Sequence, residues 1–289
     1  MEKVYDVLII GGGVAGMSAA IYAKRAGKNV AIIEKFALGG QVLQLEKIEN
    51  FPSQTSIDGI SLSQMFSKQI KNLEIEIIYD EIISVSFGKM HKLQGKKDEY
   101  FAQKVVVATG MAYQSLGIGE EVLMGRGVSF CAVCDGNFYK NKKVLVASKK
   151  GSGIKDALYL SKMADEVVLL DSEDMSVYAN ANKIQNLKVV SNCKILSVNG
   201  SMKFGSIKAD VDGKTQDFEA SALFVSLGRK AGTSILQENI NLDEKGFVVV
   251  DDNMRTSVDG VYAIGDVRNG HLKQIVTACS DGAIAGNDC

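Results

Sequence analysis

One run, Gly11-x-Gly13-x-x-Gly16, constrains this chain more than any other feature. It follows Val4 to Ile10, a stretch apolar but for Asp6 that reads as a buried parallel strand, and precedes a helix running to about Lys24. A second strand follows from Asn29 to Glu34. Glycines at these spacings permit a tight turn, a close approach of backbone to pyrophosphate, and close packing of helix on strand. The helix start then turns its unpaired N–H groups toward the phosphates. Glu34 closes the second strand 18 residues past Gly16, where a carboxylate accepts from ribose hydroxyls. The whole pattern predicts dinucleotide binding without saying which dinucleotide.

A second, poorer unit of the same kind begins at Lys142, with a strand from Lys143 to Ala147, a helix from about Lys155 to Met163 and a strand from Glu166 to Asp171. Further strands are expected at Lys104 to Ala108, Ala222 to Ser226, Phe247 to Val250 and Gly260 to Ile264. The fold class is therefore α/β, with two Rossmann-type dinucleotide-binding-like domains, the second inserted into the first. The expected boundaries give a discontinuous domain of residues 1–113 and 237–289, and an insert of residues 114–236.

A net charge of −1 over 289 residues removes the nonspecific electrostatic case for nucleic acid. No apolar run is long enough to span a membrane. The first strand starts almost at the initiator and leaves no room for a secretory signal, so a cytoplasmic protein is expected.

Five cysteines, an odd number, argue against a structural disulfide framework in such a chain. Cys131 and Cys134 stand as Cys-x-x-Cys, a spacing that closes a small, easily reduced disulfide ring. Zinc would need two more ligands, and with only His91 and His271 available no metal site is expected. Asp135, next to the pair, can protonate a leaving thiolate or take the proton of an attacking thiol.

Gly39-Gly40-Gln41, Glu49-Asn50-Phe51-Pro52, Ala108-Thr109-Gly110 and Ala263-Ile264-Gly265-Asp266-Val267 occur in that order. Together with Gly125-Arg126-Gly127-Val128-Ser129-Phe130-Cys131-Ala132-Val133-Cys134-Asp135-Gly136, they make the chain resemble the low-molecular-weight thioredoxin reductases over nearly its whole length. The resemblance implies bound FAD, a homodimer, and a flavoenzyme that reduces the disulfide of thioredoxin. It implies that Cys134 faces the flavin and that Cys131 attacks the protein substrate. It assigns Gly11, Gly13, Ala15, Gly16, Glu34, Lys35, Gly40, Gln41, Thr109, Gly110 and Gly265 to FAD, with Asn50 near the isoalloxazine ring. Asp266 is implied at the ribityl or phosphate part, and Lys273-Gln274-Ile275 along the pyrimidine edge. The family usually has Arg where Lys273 stands. Cys279 falls where the family has small residues, and Cys289 where its closing helix normally runs further.

The second glycine loop departs from the family. Its positions read Ser148-Lys149-Lys150-Gly151-Ser152-Gly153, and Ser148 and Lys150 occupy the first two glycine places. A lysine side chain there obstructs backbone approach to pyrophosphate. Asp171-Ser172-Glu173 replace the basic run that grips a 2′-phosphate, and no arginine occurs from Gly127 to Gly228. NADPH is therefore a poor fit. NADH on a displaced Gly151-x-Gly153 loop, with Asp171 on the ribose, stays open, as does a second flavin in that place. The chain resembles most the ferredoxin-dependent, pyridine-nucleotide-independent flavin thioredoxin reductases, which implies reduced ferredoxin as electron donor. Lys140, Lys142, Lys143, Lys149 and Lys150 form a candidate docking cluster for such an acidic partner. The competing expectations are an NADH- or NADPH-dependent disulfide reductase with an unusual insert, and a non-catalytic flavin redox sensor.

Overall fold

The computed structural model describes residues 3–174, 184–236, 240–270 and 272–289. The chain divides into two units, Met1–Ala112 with Ala231–Cys289, and Tyr113–Lys230. The return crossing thus falls at 230/231 rather than at 236/237. The reason is packing: Leu236 is fully buried in the first unit's core, and Gly232 N donates to Gly110 O at 2.9 Å.

In the first unit, β1 (Val4–Ile10), α1 (Val14–Arg25), β2 (Val30–Glu34), α2 (Gly59–Asn72) and β3 (Glu76–Tyr79) build a parallel sheet with its helices. β4 (Ile82–Ser86) and β5 (His91–Gly95) form an antiparallel pair that leads into the long β6 (Glu99–Val107). The first half of β6 pairs with β5. Its second half lies between β1 and β17 (Val261–Ala263), parallel to both. β1 is central, with Ile9 opposite Ile32 on one side and Val106 on the other. Being covered on both faces, β1 from Val7 to Ile10 and β2 from Val30 to Ile33 read as unbroken apolar runs. The apolar run from Phe247 to Val250 is not a strand. Val248 makes isolated bridges to Leu242 and Arg268, so two different segments share its backbone groups instead of one ladder.

α5 (Ile275–Asp288) lies against α1 along a seam of small residues. A Cβ on Gly282 would stand 2.3 Å from Ala15 O, and one on Gly286 the same distance from Ala19 O. The helices meet backbone to backbone, which fixes the start of α1 beneath its glycine loop.

His91 is buried on β5, its Nδ1 accepting from Gly88 N at 3.4 Å and its ring edge-on to Phe87. Burial holds its pKa below the ordinary value of 6.5. The unfolded chain therefore binds a proton that the folded chain refuses, and the stability from this group is lost as pH falls below about 6.5. Denaturant midpoints measured between pH 7.5 and 5 should fall more steeply for the wild type than for His91→Phe. Parallel curves would mean that His91 carries none of the slope.

The chain crosses into the second unit within β7 (Met111–Tyr113) and returns within β16 (Arg229–Ala231), and these two strands pair. Then come β8 (Val128–Ser129), the one-turn α3 (Ala132–Asp135), β9 (Lys143–Ser148), α4 (Ile154–Leu160) and β10 (Glu166–Asp171). β11 (Leu187–Val190) and β15 (Ala222–Ser226) complete a parallel sheet of order β11-β10-β9-β15-β8. β12 (Cys193–Asn199), β13 (Ser206–Val211) and β14 (Lys214–Glu219) form a separate antiparallel sheet.

Candidate active site

The loop between β1 and α1 needs its glycines. Gly11 has φ +108°, and a Cβ there would lie 2.5 Å from Ala108 O; one on Gly16 would lie 2.0 Å from Gly11 O. Around Gly13, in contrast, a Cβ would meet nothing within 4 Å. The first intrahelical bond of α1 is Met17 N to Gly13 O, so the amides of Val14 to Gly16 have no acceptor in their own helix. Glu34 is buried, one oxygen accepting from Gly12 N at 2.7 Å and the other from Phe36 N at 2.8 Å.

Several residues expected at the cofactor gather around this loop. Gly39 N donates to Gly12 O, and Gly40 lies against Gly13. Gly265 lies against Ala15, at 2.9 Å between Ala15 Cβ and an ideal Cβ on Gly265, and Gln41 Nε2 stands 3.5 Å from one on Gly110. Thr109 Oγ1 donates to Gly232 O at 2.7 Å. Asn50 Nδ2 donates to Gln274 Oε1 at 2.8 Å, which joins two residues far apart in sequence. Gln274 caps α5 ahead of Ile275. Asp266, Lys273, Arg268, Thr277 and Asp281 line a cavity of about 290 Å³. The Lys273 ammonium is turned onto the carbonyls of Asp266 and Arg268, over the Phe247 ring, and burial lowers its pKa. Lys35 is exposed, near Glu81 and over the Phe36 ring.

In the second unit Cys131 and Cys134 form a disulfide, with Cα atoms 5.3 Å apart. Cys131 caps α3 and is half-buried, while Cys134 is exposed. Cys134 N donates to Cys131 Sγ at 3.1 Å. The Asp135 carboxylate accepts from Ser129 Oγ at 2.6 Å, and that hydroxyl oxygen in turn accepts from Cys131 N at 3.0 Å. Ser129 was not among the residues expected here; its only sequence signal is its place two residues before Cys131 and six before Asp135. The other cysteines are set apart. Burial pushes the thiols of Cys193 and Cys279 up to about 11 and that of Cys289 up to about 12. Among the described residues no cluster of His, Cys, Asp or Glu could hold a metal ion, and His271 lies outside them.

The second glycine loop differs in length and in wiring. Three residues link β1 to α1, and five link β9 to α4. Asp171, fully buried at the end of β10, accepts from Lys150 N, Gly151 N and Glu173 N at 2.9 to 3.1 Å. Lys149 N donates to Ser152 Oγ, Gly153 N to Ser148 Oγ, Ser152 N to Lys149 O and Ile154 N to Gly151 O. Each backbone amide from Lys149 to Ile154 is thus used within the protein. Asp156, in the first turn of α4, accepts from Ser226 Oγ at 2.5 Å, and Ser152 Oγ donates to the Ser226 carbonyl. Replacing Asp171 with alanine should lower stability by about 2–4 kcal/mol, because three amides lose their only buried acceptor. Thermal unfolding checks this, and an unchanged midpoint would mean that the carboxylate does not hold the loop.

The expected lysine cluster does not form one patch. Lys140, Lys142 and Lys143 lie at the start of β9 and Lys149 and Lys150 beyond its end, roughly 20 Å of strand apart. Lys143 and Lys150 are further paired with Glu166 and Glu173.

A glycine-looped α/β unit and an insert carrying a two-cysteine redox disulfide define a flavin-dependent disulfide oxidoreductase. The chain belongs to the pyridine nucleotide-disulphide oxidoreductase family, whose pattern matches residues 5–282. It is 36% identical over 301 residues to the thioredoxin reductase of Peptoclostridium acidaminophilum, covering 99% of this chain and 96% of that protein. Its fold matches Lactococcus lactis thioredoxin reductase in the FR conformation, with TM-score 0.75 and 31% identity over 98% of this chain and 97% of that one. It also matches the ferredoxin-flavin thioredoxin reductase of Clostridium acetobutylicum, with TM-score 0.58 and 25% identity over 100% and 97%.

FAD is the cofactor of thioredoxin reductases in this family. The β1–α1 loop fits it. Open space at Gly13, first-turn amides without an intrahelical acceptor and the buried Glu34 carboxylate together suit a pyrophosphate followed by a ribose.

Proposed function

We propose that this protein reduces thioredoxin disulfide with electrons from reduced ferredoxin, through FAD and the Cys131–Cys134 pair. One observation carries the choice of donor: the amides from Lys149 to Ile154, which a nucleotide loop would offer to pyrophosphate, already donate within the protein. Asp156 adds a carboxylate in the first turn of α4, where a phosphate would be repelled.

The residues proposed to hold FAD are those around the first loop: Gly11, Gly13, Ala15, Gly16, Glu34, Lys35, Gly40, Gln41, Asn50, Thr109, Gly110, Gly265, Asp266, Lys273, Gln274 and Ile275. When bound, FAD supplies the conversion between single-electron delivery and the electron pair that a disulfide takes. In the reduced enzyme the Cys131 thiolate attacks the substrate disulfide and expels one substrate thiolate. Cys134 then attacks Cys131 Sγ, releases the second substrate sulfur and restores the internal disulfide. Asp135 takes a proton from the attacking pair and returns it to the leaving sulfur. The resemblance to relatives supports a homodimer, which sedimentation of the FAD-loaded protein tests.

A second reading, a pyridine nucleotide donor, is favoured by the family itself and by the β9–α4–β10 unit ending in a carboxylate. Flavin bleaching under anaerobic conditions separates the two. Bleaching by reduced ferredoxin, followed by reoxidation with thioredoxin disulfide, is the expected result. Rapid bleaching by NADPH or NADH would overturn the donor assignment and leave the disulfide chemistry standing.

A further inference from the structure

We propose that Ser129 is a positioning residue for the redox pair, its hydroxyl tying the Asp135 carboxylate to the Cys131 backbone so that protons reach the dithiol through an acid of fixed orientation. The inference rests on the disulfide-reductase reading and is independent of the electron donor.

Ser129 ends β8, where Phe224 of β15 lies beside it in register, and it is 4% exposed. Its anchoring strand belongs to the parallel sheet, so the hydroxyl is held by the core and not by the loop that carries the cysteines. A hydroxyl has one proton to give. It goes to Asp135 Oδ2 at 2.6 Å, and Cys131 O at 3.3 Å is the alternative acceptor. The same oxygen accepts from Cys131 N at 3.0 Å, and Asp135 N donates to Cys131 O at 3.2 Å. Cys131 and Asp135, the two ends of a single helical turn, are thus cross-linked through one buried side chain.

This wiring suits proton exchange. While Asp135 is ionised, Ser129 donates to Oδ2 and leaves Oδ1 to receive the proton of the attacking thiol. Once Asp135 is protonated, the hydroxyl turns its proton to Cys131 O and the acid proton is free to go to the leaving sulfur. The overall exchange balances without further reagents: two enzyme thiols and a substrate disulfide become the Cys131–Cys134 disulfide and two substrate thiols.

The test uses FAD-loaded enzyme reduced with dithionite under argon and mixed with thioredoxin disulfide, with flavin reoxidation as the signal. Ser129→Val and Ser129→Thr have nearly the same shape and differ by the hydroxyl. The valine variant should slow the limiting rate about 10- to 100-fold with the half-saturating thioredoxin concentration unchanged, and the threonine variant should stay within about threefold of wild type. Because Ser129 acts through Asp135, Ser129→Val combined with Asp135→Asn should be no slower than Asp135→Asn alone. A valine variant within about twofold of wild type, or effects that multiply in the double variant, would overturn the proposal. If Ser129→Val loses its flavin, Ser129→Ala is read in the same assay. A wild-type enzyme that leaves thioredoxin oxidised sinks the functional reading instead, and the variants are then compared on a small aromatic disulfide.

Discussion

Replacing Cys134 with serine is expected to lower thioredoxin-disulfide reduction by at least roughly a thousandfold, while the protein keeps its FAD and its fold. Serine removes the sulfur that must re-form the internal disulfide, and a hydroxyl is neither a comparable nucleophile nor able to form that bond. No other thiol can stand in. Cys193 and Cys289 are buried at 3% and 5% exposure, and burial raises all three remaining thiols to about 11 or 12. They stay protonated at neutral pH, and protonated thiols do not attack disulfides. Cys131→Ser should fail equally, for want of the attacking sulfur. Both variants should still be bleached by the true electron donor, since the loss falls after flavin reduction. Turnover with thioredoxin and a donor-driven flavin spectrum, measured on the same preparations, separate the steps. A Cys134→Ser protein with even a tenth of wild-type turnover would show that electrons bypass the pair.

The second large effect concerns the first glycine loop. Gly16→Val should destabilise the protein by about 3 kcal/mol or more and strip it of FAD. The new side chain would begin 2.0 Å from Gly11 O, and neither partner can give way. Gly11 N is bonded to Ile33 O and Ala108 N to Ile10 O, both at 2.9 Å, so the loop is anchored at the ends of three strands. A drop in Tm of roughly 6–12 °C is the corresponding signal. Gly13→Ala is the control that separates folding from binding. Gly13 has φ −70°, acceptable to alanine, and its Cβ would meet no atom within 4 Å. The FAD-free variant should therefore melt within about 1 °C of FAD-free wild type, because an unobstructed Cβ in an ordinary backbone conformation adds little strain. Its FAD affinity should fall, because the methyl stands in the space left for the pyrophosphate. Equal Tm losses in the two variants would mean that the loop is merely strained and is not shaped around a ligand.

Much of this was legible in the sequence, and the parts that were not have definite causes. β1, the glycine loop and α1 were readable because an apolar strand, three spaced glycines and a helix leave few alternatives. The seam between α1 and α5 was not, because helices that meet through alanine and glycine carry no strong amphipathic stripe. Phe247 to Val250 has the composition of a strand, but its bonds are divided between two neighbours. Lysines close in sequence parted because an extended strand separates them. Asp171 was readable as the carboxylate that closes β10, but nothing at a strand end marks that its two oxygens will accept from three amides of its own unit. Ser129 was invisible because nothing in a short strand marks which hydroxyl will face a carboxylate six residues on.

On the proposed choice of donor, the loop from Lys149 to Ile154 also illustrates how a binding site would be retired safely. Had the amides merely lost a ligand, each one left dry would weigh on the domain by about 1–3 kcal/mol. Here two serine hydroxyls, one carboxylate and two carbonyls accept from those amides, in a loop two residues longer than that of the first unit. Reopening such a site is a task of deletion, since exchanging a single side chain would leave the remaining internal acceptors in possession.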